Sequence, residues 1–162
     1  MKAQFRDMAN PAVAVALSFG LGLASWAPGT FGAAGAFLPY FAIWQLGWAW
    51  QAILTILLFA LGCAVCDRTA AYYKVEDHSA IVWDETIGML MVLVLSPATP
   101  LCWLLGFVAF RVLDIRKPWP IHLVETHLRG GLAVMLDDAA AALGAAGIVW
   151  LAYAGVVQVF TV

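Results

Sequence analysis

The strongest constraint on this chain is where its charges are missing. Eight basic and ten acidic side chains are spread over 162 residues, and none falls in 8–66, 86–110 or 139–162. Uncharged runs of 59, 25 and 24 residues are lengths that lipid solvates and water does not, because about 20 mostly apolar residues suffice for one spanning helix. The charged fraction, 11%, is less than half of the roughly 25% usual in soluble domains. The expected architecture is one all-α, polytopic membrane domain covering 1–162. Net charge is −2 with no basic block, so nucleic acid is not an expected partner. The membrane is, and nothing in the pattern excludes an oligomer.

Hydropathy divides the chain into six apolar segments, 12–26, 31–46, 49–66, 80–96, 101–115 and 132–160. Asp77 or Ser79 can cap the fourth, which opens near Ala80, and Pro97 and Pro100 bracket a tight turn after it. Pro118 and Pro120 close the fifth, and Gly130 with Gly131 breaks the chain before the last. Lys and Arg concentrate in short cytoplasmic loops, which puts Lys2, Arg6, Arg68, Lys74, Arg111, Arg116, Lys117 and Arg129 on that side. About five crossings with the carboxy terminus outside satisfy this, provided that 12–26 is a short re-entrant or interfacial segment. Six crossings with an outside amino terminus are the rival. The small residues of 139–155 suit close packing of the last helix, and Cys63, Cys66 and Cys102 read as buried thiols.

Against that apolar background five carboxylates stand out. Asp84 and Glu85 sit about one turn inside an apolar helix, Asp137 and Asp138 two turns inside another, and Asp114 near the carboxy-terminal end of a third. Ionisable groups at such depth cost up to about 2.5–3.5 kcal/mol each and usually face a polar cavity. The helix dipole disfavours an anion at the position of Asp114. A divalent metal is the economical partner, and oxygen ligands with only His78, His122 and His127 for imidazole suit Mg²⁺, or Mn²⁺, better than Zn²⁺. Asp84, Glu85, Asp137 and Asp138 are the candidate ligands. Adjacent helical residues point about 100° apart, so one member of each pair is expected to ligate directly and the other through a second layer. A helix-end ion pair of Arg111 with Asp114 accounts for one acid and not for four more.

Arg111, Lys117 and Arg129 flank the acids, and arginine forks with a lysine point charge are a common way to hold phosphate oxygens. Residues 28–32 (PGTFG), including Thr30, read as a glycine-bearing turn whose N–H groups can cradle an anion. His78 stands at the mouth of the Asp84 helix, placed to donate a proton to a leaving group. A different class also fits the acids: a small ion or proton transporter using them as a relay.

Three stretches, 77–88 (DHSAIVWDETIG), 111–120 (RVLDIRKPWP) and 130–138 (GGLAVMLDD), strongly resemble the signatures of the bacterial phosphatidylglycerophosphatase A family, and residues 10–11 and 28–32 resemble its amino-terminal features. The resemblance implies a Mg²⁺-dependent phosphatase of the inner membrane that removes the terminal phosphate of phosphatidylglycerophosphate. The placement of Arg and Lys makes the expected site face the cytoplasm and draw its phospholipid from the inner leaflet. Its acidic positions fall on Asp84, Glu85, Asp114, Asp137 and Asp138, and its basic ones on Arg111 and Lys117. One departure is Ala133, where the family often has glycine.

Overall fold

In the computed structural model, which describes residues 3–75, 78–119 and 128–161, every regular element is helical and no strand occurs among the described residues. After a 3₁₀ turn at Phe5–Ala9 come α1 (Pro11–Ala16), a second 3₁₀ segment (Ser18–Leu23), α2 (Pro28–Gly35), α3 (Phe37–Ile43), α4 (Trp48–Tyr73), α5 (Trp83–Leu95), α6 (Pro100–Arg116) and α7 (Gly130–Thr161). Asp77, Pro120, His122 and His127 lie outside the described residues.

α5 is the hub. Past its first turn it is apolar on every side, the pattern of a helix buried all round, and nine of its 13 residues are buried. Helices α2, α4, α6 and α7 pack around it. Trp83 Nε1 donates to the Leu58 carbonyl at 3.2 Å, tying α5 to α4. On α7, Ala141, Ala142 and Ala145 are fully buried, so alanine does let this helix approach its neighbours. Its far end behaves otherwise: Gly147 and Gly155 face open space, and 151–158 are exposed. Two helices, α4 and the Gly130–Gln158 part of α7, are long and apolar enough to cross a membrane by length and composition.

Several boundaries differ from the hydropathy reading. The 31–46 segment is two helices, because Pro39 has no N–H to donate to Gly35. α4 continues past Cys66 to Tyr73, so Asp67 and Arg68 are helical. α5 begins at Trp83, three residues after Ala80, and Ser79 does not cap it. His78 organises the turn instead: its Nδ1 accepts from the Ala80 N–H at 3.2 Å, and its carbonyl accepts from Ile81 at 2.8 Å.

The 12–26 segment folds back and packs into the bundle. Asn10 Oδ1 caps α1 by accepting from the Ala12 N–H at 3.0 Å. The chain then reverses through Ser18, Phe19 and Gly20 at φ 45, 55 and 107, which breaks any longer helix. Val13, Ala16 and Leu17 are fully buried against the core. From there the Ala16 carbonyl accepts the Val82 N–H at 2.9 Å, and Ser18 Oγ lies 2.7 Å from Thr86 Oγ1. This packed segment thereby fixes the first turn of α5. Asp7 anchors its start: the Gln4 N–H holds that carboxyl below the usual carboxylate range, and the Tyr73 hydroxyl donates to it at 3.0 Å.

Candidate active site

The first turn of α5 carries Asp84 and Glu85, where unpaired helix N–H groups favour anions. Across from it, α7 brings Asp138 from two turns inside. One oxygen of each of these three carboxylates lies within 4.8 Å of the others. Asp84 Oδ1, Glu85 Oε2 and Asp138 Oδ2 are buried with no hydrogen-bond partner among the described residues. Orphaned buried carboxylate oxygens are costly, and a hard divalent cation with oxygen ligands removes that cost. The donor set therefore fits Mg²⁺ or Mn²⁺.

The two adjacent acidic pairs are arranged differently. Asp138 joins the cluster while Asp137 turns away to Lys117, its Oδ2 2.5 Å from Nζ. Asp137, also expected as a ligand, lines the same cavity and is engaged in this ion pair. Asp84 and Glu85 both reach the cluster, because the extra methylene of glutamate lets its carboxylate swing back across the 100° offset.

The cluster opens on a cavity of about 660 Å³ whose wall includes Asp84, Glu85, Asp114, Lys117, Arg129, Asp137 and Asp138. Arg111 stands behind this wall. Its Nη1 pairs with Asp114, as the i,i+3 spacing allows, and lies 3.9 Å from Glu85 Oε1. Its Nε is buried without a partner among the described residues. Lys117 reaches Asp137 because the chain turns there: it closes α6 in the left-handed region (φ 42) directly before Pro118. Ala27 does the same (φ 45) directly before Pro28, which also lines the cavity. Such conformations cost about 1–3 kcal/mol each and collect at functional sites.

Besides Arg111, two expected site residues are not brought to the cavity wall. His78 is buried, stacked on Tyr73 with ring centroids 4.2 Å apart, so its role is to shape the turn before α5. Thr30 is absent from the wall as well, and residues 28–32 are not an anion-cradling turn. They belong to α2, where proline occupies the first position and the glycines permit close packing. An added Cβ at Gly29 would collide with Glu85 Oε1 and stand 3.0 Å from Arg111 Nη2. Other wall residues were not singled out for the site: Ser79 and Ile81 entered only within the 77–88 stretch, Ser79 also as a cap, and Ala133 only as a departure. Asp67 went unnoticed too. Its Oδ1 accepts from the Gly131 N–H at 2.6 Å, holding the start of α7 against α4 two turns before Asp138.

Buried carboxylates with an orphaned oxygen each, faced by arginine and lysine around a polar cavity, define a helical protein equipped for phosphoester chemistry. The family model of phosphatidylglycerophosphatase A matches residues 14–153. Phosphatidylglycerophosphatase A of Escherichia coli (strain K12) is 38% identical over 144 residues, 88% of this chain and 84% of that one. The protein of the same name from Haemophilus influenzae (strain ATCC 51907 / DSM 11121 / KW20 / Rd) is 41% identical over 146 residues, 89% of this chain and 90% of its own. No solved structure gives a significant match. The chain belongs to the phosphatidylglycerophosphatase A family, and it is an enzyme, a phosphatase.

Proposed function

We propose that this chain hydrolyses the terminal phosphate monoester of phosphatidylglycerophosphate, giving phosphatidylglycerol and phosphate in bacterial phospholipid biosynthesis, with Mg²⁺ as cofactor. The observation that carries the reading is the cluster of Asp84, Glu85 and Asp138 with its orphaned oxygens beside Arg111 and Lys117, in a chain of this family. When bound, the metal would supply charge neutralisation for the phosphate. Lys117 on the cavity wall binds phosphate oxygens and offsets charge moving toward the leaving oxygen, while Arg111 behind it holds Asp114. Asp114, on the cavity wall, orients a water for in-line attack. The water oxygen bonds to phosphorus as the bond to the glycerol oxygen breaks; the water gives up a proton to Asp114, and the glycerol oxygen takes one from solvent. A transport relay suits acids near the midplane between discontinuous helices. Here the acids cluster at helix ends beside basic groups, which supports hydrolysis. The test is phosphate release by purified protein from phosphatidylglycerophosphate with Mg²⁺, expected to stop in excess EDTA and return when Mg²⁺ is restored. Full turnover after removal of bound metal would eliminate the metal.

The proposed setting is the inner membrane, crossed five times by α2 with α3, α4, α5, α6 and α7, with 11–23 folded back into the bundle. Its support is the outer face of α6, where Leu101, Leu104, Val108, Val112 and Ile115 are all more than half exposed at helical spacing. A soluble helix would put polar residues there. The active site then faces the cytoplasm, by the placement of Arg and Lys, and takes its lipid sideways from the inner leaflet. Ser79 is exposed on the cavity wall. With Cys63, Cys66 and Cys102 removed, Ser79→Cys is expected to resist an impermeant thiol reagent in right-side-out vesicles until they are permeabilised. Ready labelling of intact vesicles would reverse the orientation.

A further inference from the structure

A second hollow lies farther along the bundle from the acids. It is an open groove of about 340 Å³ between α2, α3 and α6, lined by Ala34, Phe37, Pro100, Trp103, Leu104 and Phe107. No charged side chain borders it. Both of its walls are shared with the active site: α2 carries Gly29 at the cavity and Ala34 at the groove, and α2 packs against α6 between them. On α6, Trp103, Phe107, Arg111 and Asp114 follow one another at intervals of four, four and three, which places them on one helix face.

Depth identifies the occupant. Phe107 and Trp103 precede Asp114 by seven and eleven residues, or about 11 and 17 Å at 1.5 Å per residue. Half of a hydrocarbon core about 30 Å thick is about 15 Å, so the groove lies within the inner-leaflet half of the core, at a depth where the acyl chains of a lipid with its headgroup at Asp114 run. From this continuity we infer that the groove seats one acyl chain of the lipid substrate and makes the enzyme selective for chains long enough to fill it. This rests on the lipid phosphatase reading above. The headgroup is held by the polar cavity, the chain by the seam between α2 and α6, and a phosphate ester without long chains forfeits the second hold.

The groove can be filled from exposed positions that leave the core alone. Ala34 is exposed, and Leu104 is 63% exposed, so Ala34→Trp and Leu104→Trp put an indole into the hollow without displacing buried atoms. Phosphate release is measured in mixed micelles from dipalmitoyl and from dihexanoyl phosphatidylglycerophosphate, the second with chains too short to fill the groove. Each variant is expected to lower kcat/KM for the long-chain lipid by about tenfold, a usual scale for discrimination by an apolar pocket, and to leave the short-chain value within about twofold. Ile56→Trp, on an exposed apolar position of α4, is expected to change neither. Equal losses on both lipids, no change on either, or the same chain-length effect from Ile56→Trp would each overturn the groove's role. Wild-type protein inert on both lipids would remove the phosphatase reading and the groove with it, whereas an active wild type with unaltered groove variants removes the groove alone.

Discussion

Asp138→Asn is expected to lower kcat by at least about a hundredfold, the scale on which removal of one preorganised electrostatic group acts, while the metal-free protein becomes no less stable. Both halves follow from the same geometry. Asp138 is only 4% exposed, and its Oδ2 has no hydrogen-bond partner among the described residues. Asparagine keeps the volume and loses the charge, so the packing of Gly88 against this residue is undisturbed. At 4.8 Å, two ionised carboxylates repel by about 3 kcal/mol at an effective dielectric of 20. Without metal, the substitution relieves part of that repulsion, and Tm is expected to hold or rise. With metal, the substitution removes one of the three proposed ligands, so the Tm increase produced by saturating Mg²⁺ should shrink. A variant that lost activity and stability together, with an unaltered Mg²⁺ response, would make Asp138 a packing residue and remove it from the metal set.

The acids were legible in the sequence because of their setting. A carboxylate inside an uncharged apolar run has no inexpensive explanation, and the i,i+3 spacing announced the pair of Arg111 with Asp114. Their division of labour was not legible. Whether Asp137 or Asp138 meets Asp84 depends on how α7 is rotated against α5, and that rotation is set partly by Asp67 holding Gly131, a contact 64 residues apart in sequence with no periodic trace. Residues 28–32 misled for a related reason. Proline and glycine together are turn formers in water, but proline also opens helices, and glycine also lets helices touch. Only the tertiary neighbours, Glu85 behind Gly29 and Val82 behind Gly32, decide between the two uses. His78 was placed correctly in the chain, before α5, but its ring turns to Tyr73, and side-chain direction in an irregular turn has no period to read.

Gly29→Ala separates activity from stability most sharply. In a helix alanine is preferred to glycine by up to about 1 kcal/mol, so α2 itself has nothing to lose. The new methyl group would collide with Glu85 Oε1 and stand 3.0 Å from Arg111 Nη2. Both are far ends of flexible side chains, so the clash is relieved by displacing them and not by unfolding. That displacement moves one of the three clustered oxygens and the guanidinium paired with Asp114. A misplacement of about 1 Å at reacting groups can cost about a hundredfold in rate. The expected result is therefore a protein with Tm within a few degrees of wild type and kcat reduced about a hundredfold. Gly147→Ala is the matched control: that glycine faces open space on α7, and its replacement should leave turnover unchanged. Wild-type turnover by Gly29→Ala would mean that α2 does not position Glu85, and the cluster would then have to be held by α5 and α7 alone.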